Sequence, residues 1–279
     1  MAIGIESVMD FGRDVGATVL KTFAYYAVIM VAERLIPAQP GQKLKDMWFN
    51  FKYLPFYIVG TALLLPPLTA ITVGALKARF PQMFGLFPAD SYLSAGMRGL
   101  AYLLIFDFFY YWFHRLQHTV PVFWLQHKLH HSDPAVNVTT TMRHHWLEEP
   151  LRIFFMTLPM AILFDLTPAY SAAVAFALSF WGFYIHANLA VNMGPLNRFI
   201  CSPQVHRLHH SLEPQHQDKN LAAIFSFYDV IFGTYAAPVK GEFPRTGLSS
   251  GEQIDTVWKA NFGPFADLAA MLRGKTRTA

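Results

Sequence analysis

Apolar residues run almost unbroken through much of the first two thirds of this chain, and the polar stretches between the runs collect histidine. Residues 17–36 (ATVLKTFAYYAVIMVAERLI) and 53–76 (YLPFYIVGTALLLPPLTAITVGAL) each reach the roughly 20 residues needed to cross a hydrocarbon layer about 30 Å thick. Both read as transmembrane helices. Lys21 lies close enough to an end to snorkel, and Pro66 and Pro67 should kink the second helix, a defect that neighbouring helices accommodate in a bundle. A third run, Leu100 to Phe113, ends directly in His114. Residues 151–165 and 169–187 form two more, separated by Leu166, Thr167 and Pro168; the first is short, so the pair reads as a hairpin that need not fully cross.

Composition agrees. Only 14% of the residues are charged and 53% are hydrophobic, against about 25% charged in soluble domains. The pattern predicts one membrane unit with an appended tail, with no linker or repeat inside it. Cys201 is the single cysteine, which excludes an internal disulfide and any cysteine-based zinc or iron-sulfur site. Glu6, Asp10 and Asp14 stand where a basic leader would be, and no apolar stretch follows within the first fourteen residues, so no cleavable signal peptide is expected.

Charge sets the orientation. If the first three runs cross and the last two form a hairpin, one face holds residues 37–52, 114–150 and everything after about 188. With Arg34 and Arg152 at helix ends included, that face carries 17 of the 22 Lys and Arg residues; the other holds Arg13, Lys21, Lys77, Arg79 and Arg98. The positive-inside rule makes the rich face cytoplasmic. The net charge of +4 is then topology and headgroup contact, and no basic and aromatic pattern points to nucleic acid.

The histidines segregate with that charge. They read His114-x3-His118, His127-x2-His130-His131, a pair at His144 and His145, His186 closing an apolar run, and His206-x2-His209-His210. On a helix, residues i, i+3 and i+4 share a face, so each HxxHH triplet should present three imidazoles in one direction. Two triplets and one HxxxH suffice to enclose two metal ions. His144 adjoins His145, and neighbours on a helix diverge by about 100°, so His144 is expected beside the site or at a headgroup. His216 lies in a polar loop and reads as a surface residue, while His186 taken alone would read as a core residue.

Carboxylates look peripheral. Paired Glu-x-x-His motifs and HExxH are absent apart from Glu213 to His216, which Pro214 interrupts. Asp107, seven residues before His114 and inside the apolar layer, needs a partner. It is expected to orient a ligand imidazole, and Glu148, three residues after His145, is a similar candidate. Glu149, Asp133, Asp218 and Asp229 are balanced between such roles and caps or solvated charges.

The stretches DFFYYWFHRLQH (107–118), HKLHHSDPAVNVTTTMRHHWLE (127–148), IHANL (185–189), VHRLHHS (205–211) and FYDVIFGTY (227–235) resemble the membrane-bound fatty acid hydroxylase superfamily, also called the sterol desaturase family. The resemblance spans roughly residues 40–236. It implies an all-α integral membrane protein, here a bundle of about four to five transmembrane or re-entrant helices. A helical cytosolic histidine-rich cap would come from about 114–150 and 186–236, with 237–279 as a tail. It also implies two irons and, matched by motif, the ligands His114, His118, His127, His130, His131, His145, His186, His206, His209 and His210. Where the family often has Asp-x-Asn-Tyr-Gly the chain has Asp218, Lys219, Asn220, Leu221 and Ala222, a departure at the last two positions, and Tyr228 stands where Trp is common.

The chemistry points the same way. Imidazole alone does not choose among iron, copper, nickel and zinc. A substrate dissolved in lipid, however, offers mainly unactivated C–H bonds, and breaking those calls for an oxygen-derived metal oxidant that iron can form and zinc cannot. The expected activity is an O2-dependent di-iron hydroxylation or desaturation of a lipid: a sterol, fatty acyl chain, carotenoid or amino-acid lipid. Electrons must come from a separate ferredoxin- or cytochrome-type donor, because the chain has no dinucleotide fingerprint and no cysteine set. Arg115, Lys128 and Arg207, inside the histidine clusters, are candidate docking contacts. The aromatic stretch Phe106 to Phe113 reads as interface belt and helix packing more than as a substrate passage. Haem-binding electron transfer and metal transport are the alternatives. The first would pair histidines across transmembrane helices, and the second would place them near mid-bilayer.

Overall fold

The computed structural model describes residues 5–88, 94–165 and 167–274, and among them the long elements are all helical. Helix α1 (Ile5–Leu35) begins well before the apolar run at residue 17, because a nucleated helix needs only one hydrogen bond per added residue and continues through polar sequence. Helix α2 (Leu44–Thr69) likewise starts before residue 53; its first half buries Met47, Asn50, Tyr53, Leu54, Tyr57 and Ile58. Pro66 and Pro67 do not end it. The Ala70 N–H donates to the carbonyls of both prolines, the next turn widens into a π-helix at Ala70–Gly74, and α3 (Ala75–Arg79) continues the rod. Two stretches, Met9–Leu35 and Leu44–Arg79, are long and apolar enough to cross a membrane.

Helix α4 (Ala95–Thr119) starts at the Ser94 cap, whose hydroxyl accepts the Met97 N–H, and covers about 28 Å from Ala95 to His114 at 1.5 Å per residue. It stops before Pro121, which opens α5 (Pro121–His131) at the first turn, where the missing N–H is harmless. The expected hairpin is α6 (Glu148–Arg152), a π turn at Ile153–Thr157 and α7 (Leu158–Leu163), then α8 (Pro168–His186); Leu166 lies outside the described residues. Three consecutive N–H groups from Gly85 to Phe87 donate to the carbonyls of Ala161, Ile162 and Leu163, and the Tyr170 hydroxyl donates to Ala95 O at 3.2 Å. The hairpin turn therefore sits at the same end as the start of α4 and the end of α3, where Lys77 pairs with Asp165 at 3.9 Å.

At the opposite end, Tyr26 and Ile29 of α1 and Tyr53, Leu54, Tyr57 and Ile58 of α2 pack with Leu129, Val138 and Phe183 into the main apolar core. Short helices α9 (Pro203–His209) and α10 (Phe227–Ile231) complete this end, and α11 (Val257–Leu272) packs on α5 and α2. The α5-to-α6 segment is pinned by the buried Arg143 guanidinium, which donates to Leu129 O, Ile254 O, Asn50 Oδ1 and Ser132 Oγ. Tyr111 and Phe113 are fully buried while Phe108 and Trp112 face outward, so the aromatic stretch serves both helix packing and the outer surface.

Candidate metal centre

Four helices end in, or carry, the histidines. α4 supplies His114 and His118 one turn apart, α5 supplies His127, His130 and His131, α8 closes with His186, and α9 supplies His206 and His209 with His210 just beyond. The start of α9 is fixed by Ser202, whose hydroxyl accepts the Val205 N–H, and by Pro203 in the first turn.

These side chains form two adjacent buried groups. His114, His118, His127, His131 and His209 make the first; His130, His186, His206 and His210 make the second, and within each group one nitrogen per ring lies within 4.8 Å of the others. The triplets therefore do not point one way. In α5 the i and i+4 rings join the first group and the i+3 ring joins the second, whereas in the α9 triplet the assignment is reversed. Ring nitrogens meet directly: Nε2 of His186 lies 3.0 Å from Nε2 of His130 and 2.9 Å from that of His206, and the Nε2 atoms of His114 and His127 are 3.0 Å apart.

In the first group the outer nitrogens of four of the five rings, all but His131, are held. His114 Nδ1 donates to Leu221 O at 2.7 Å, His209 Nδ1 donates to Lys219 O at 2.9 Å, and His118 Nδ1 lies 3.3 Å from the Asp218 carboxylate. His127 Nδ1 faces Glu148 Oε2 at 3.4 Å. An imidazole fixed through Nδ1 in this way presents the Nε2 lone pair inward, the arrangement common to metal-binding histidines. In the second group only His186 shows such a hold, from Nδ1 to Gly182 O at 2.7 Å.

Glu148 is central. Its carboxylate reaches His127, His144 Nδ1 at 3.1 Å and Arg152 at 2.6 Å, and it is buried. Burial opposes its charge, but His144, Arg152 and the hydrogen bonds from His127 and His144 hold its carboxyl well below the usual range.

Several expectations need correction. His145 turns away from both groups: its Nε2 donates to Asn261 O at 3.0 Å and its Nδ1 accepts the Leu147 N–H. His144 faces inward instead, its ring stacked on His130 with centroids 4.2 Å apart. Residues 143–145 are not helical, so the divergence of His144 from His145 follows from an irregular stretch of backbone and not from helix geometry. Asp107 touches no imidazole; its carboxylate accepts the backbone N–H groups of Ala223, Ile224 and Phe225 at 2.6 to 3.1 Å. Lys128 and Arg207 are unsuited to docking a partner. Lys128 is buried against Glu252 and Asp267, and Arg207 donates to Pro244 O and Gln39 Oε1. His216, partly buried, bonds to Ser211 Oγ and joins neither group. Glu148 and Arg152 had a visible sign in sequence, one helical turn from His144 and from each other. The carbonyls of Lys219 and Leu221 had none.

The donor set suits a metal. Burial, then neighbouring imidazoles, pushes His130, His131, His206, His209 and His210 well below the ordinary histidine value, and His127 falls to about 4, again chiefly by burial. The rings are neutral at pH 7. Among the described residues, six buried ring nitrogens have no hydrogen-bond partner: Nε2 of His118, His131 and His209, and Nδ1 of His130, His206 and His210. Such groups are costly unless something satisfies them, and a cation does so for those facing inward.

Comparison with known proteins places these residues in context. Residues 99–234 match the family model for fatty acid hydroxylase, a narrower stretch than the resemblance beginning near residue 40. The chain is 37% identical over 131 residues to alkylglycerol monooxygenase of Homo sapiens, covering 47% of this chain and 29% of that protein. It is also 37% identical to the same enzyme of Xenopus tropicalis over 46% of this chain and 28% of the relative. Ornithine lipid hydroxylase of Rhizobium tropici is 28% identical over 53% of this chain and 44% of its own length. The matched region thus spans less than a third of the alkylglycerol monooxygenases. No solved structure matches the chain.

Proposed function

The chain belongs, through residues 99–234, to the fatty acid hydroxylase superfamily, and on that premise we propose that it is a membrane-bound di-iron oxygenase that hydroxylates or desaturates a lipid. The observation that carries the reading is the pair of adjacent buried groups of five and four histidines. His114, His118, His127, His131 and His209 would hold one iron, and His130, His186, His206 and His210 the other. His145 drops out of the expected set. His144 and Glu148 support the ligands from beside them.

Two bound irons would supply the electron-transfer chemistry with O2 that breaking an unactivated C–H bond requires. The chain's own contribution is to keep nine imidazoles neutral, to fix through Nδ1 the tautomers of His114, His118, His127, His209 and His186, and to hold the rings in a protein layer that shields them from water. Glu148, ionised and shared among His127, His144 and Arg152, anchors one side of the site.

Placement supports access from the bilayer. The rods of α1, α2 with α3, α4 and α8 each run about 27 Å or more from the far end to the histidine layer, close to one hydrocarbon thickness. The histidines then sit at one membrane face, cytoplasmic by the excess of Lys and Arg, as a cap on a multi-pass bundle within a single membrane domain. A lipid entering laterally would meet the site without leaving the membrane, and a soluble ferredoxin- or cytochrome-type donor would reach it from the other side. The names of the relatives make glycerol ethers and amino-acid lipids the first substrates to test.

The test is metal content by mass spectrometry and an optical spectrum on detergent-purified full-length protein, with His130→Ala alongside. About two irons per chain without a haem band, reduced in the variant, supports the reading. Incubation with alkylglycerols, isotopically labelled O2 and a reduced donor should then place label in the product. Haem, or no retained metal after anaerobic reconstitution with iron(II), overturns it.

A further inference from the structure

One loop touches three of the five imidazoles in the first group, and they come from two different helices. Asp218 faces His118, Lys219 O accepts from His209 and Leu221 O accepts from His114. Among the described residues nothing comparable reaches the second group, in which Nδ1 of His130, His206 and His210 has no partner and His186 alone is held, through the carbonyl one turn back on its own helix.

The loop is built at a cost. Asp218 and Asn220 both adopt φ of 55°, a conformation unfavourable for most side chains and least so for Asp and Asn, so those residue types suit these positions. The strain is offset from three sides. Asp229 accepts the N–H groups of Leu221 and Ala222 at 2.7 and 3.0 Å, and Asp107 accepts those of Ala223, Ile224 and Phe225. The Asn220 side chain bridges Val205 O and Ala236 O and accepts the Ala236 N–H. Both aspartates are fully buried, so the loop is fixed from behind by carboxylates that reach no metal ligand themselves.

From this we infer that the Asp218–Leu221 loop, clamped by Asp107 and Asp229, makes the two metal subsites unequal: the five-histidine subsite retains its ion and the four-histidine subsite exchanges it. The inference rests on the di-metal reading above. Rings already fixed in the ligating tautomer lose little freedom on binding, whereas His130, His206 and His210 must be ordered by the ion itself. The positioning residues are Asp218, through His118, and Asp107 and Asp229, through the loop backbone.

The experiment is anaerobic release of iron(II) from fully loaded, detergent-solubilised full-length protein into an excess of an iron(II)-specific chelator. Two phases of about one iron each are expected. His210→Ala should abolish the fast phase and His209→Ala the slow one. Asp218→Leu should accelerate the slow phase alone by about 10-fold or more, the usual scale for losing an outer hydrogen bond to a ligand. Asp218→Asn, which keeps an acceptor oxygen, should restore it. Cobalt(II) titration should give distinct spectra for the first and second equivalents, with Asp218→Leu altering the first. Release of both irons in one phase, or an Asp218→Leu effect confined to the fast phase, overturns the inference while leaving the di-metal reading standing. Failure of the wild-type protein to bind two ions overturns both.

Discussion

The rings of His131 and His210 stack with centroids 4.5 Å apart and planes inclined by 23°, although His131 belongs to the five-histidine group and His210 to the four-histidine group. This contact joins the two groups into one centre. It brings the end of α5 against the end of α9, and the exchange of roles between the two HxxHH triplets follows from that packing. Neighbours in sequence therefore fall in different groups.

His130→Ala and His131→Ala, one residue apart, should each remove about one of two bound irons, and from opposite subsites. Metal analysis of both variants, combined with release kinetics, checks this. Loss of the same ion in both would contradict the division of the triplet.

Glu148→Gln should weaken metal binding by about 10- to 100-fold, because it removes the charge shared by His127 and His144 while the half-buried Arg152 stays in place. His145→Ala should leave the iron content unchanged and cost about 1 kcal/mol of stability through the lost hydrogen bond to Asn261 O. Competition with a chelator and thermal unfolding in detergent separate the two outcomes.

Asp107→Ala leaves the buried N–H of Ile224 and the part-buried N–H groups of Ala223 and Phe225 unpaired, at a cost of about 1 to 3 kcal/mol for the buried one and less for the others. The protein should melt at a markedly lower temperature. The slow-released iron should become labile, which loss of global stability alone does not select.

Acid should destabilise the metal-free protein. His127 titrates near 4 in the folded chain and near 6.5 when unfolded. Between those values the unfolded chain binds more protons, so stability falls as pH drops from about 6.5 toward 4. His130, His131, His206, His209 and His210 shift in the same direction and steepen the fall. Denaturant midpoints of apo protein measured across this range test the sign. A midpoint that rises on acidification would show that the rings are not buried as neutral bases.

Turnover with a soluble electron donor should fall steeply as ionic strength rises if charge guides docking. Lys128→Ala should act on stability and leave the donor's KM unchanged, since Lys128 is buried against Glu252 and Asp267. A salt-insensitive rate would remove the basic face from the encounter.

Sequence by itself determined the helical, membrane-compatible character of the chain and the existence of a polyhistidine centre. Apolar run length and residue type are properties of local sequence, and the spacing of His114 and His118 or of His206, His209 and His210 reports helical proximity directly. The extent of α1 and α2 was less legible, because their polar portions become helical or buried only through contact with the rest of the chain. Tertiary structure alone decided which ring joins which subsite. A triplet's three side chains leave the helix at different angles, and only the position of α9 against α5 settles which neighbour each one meets. The same holds for His144 over His145, where the local chain is irregular and not helical. It holds also for Asp107, whose partners lie more than a hundred residues away at Ala223 to Phe225. Backbone carbonyls such as those of Lys219 and Leu221 carry no residue signature, so their hold on His209 and His114 exists only in the folded chain.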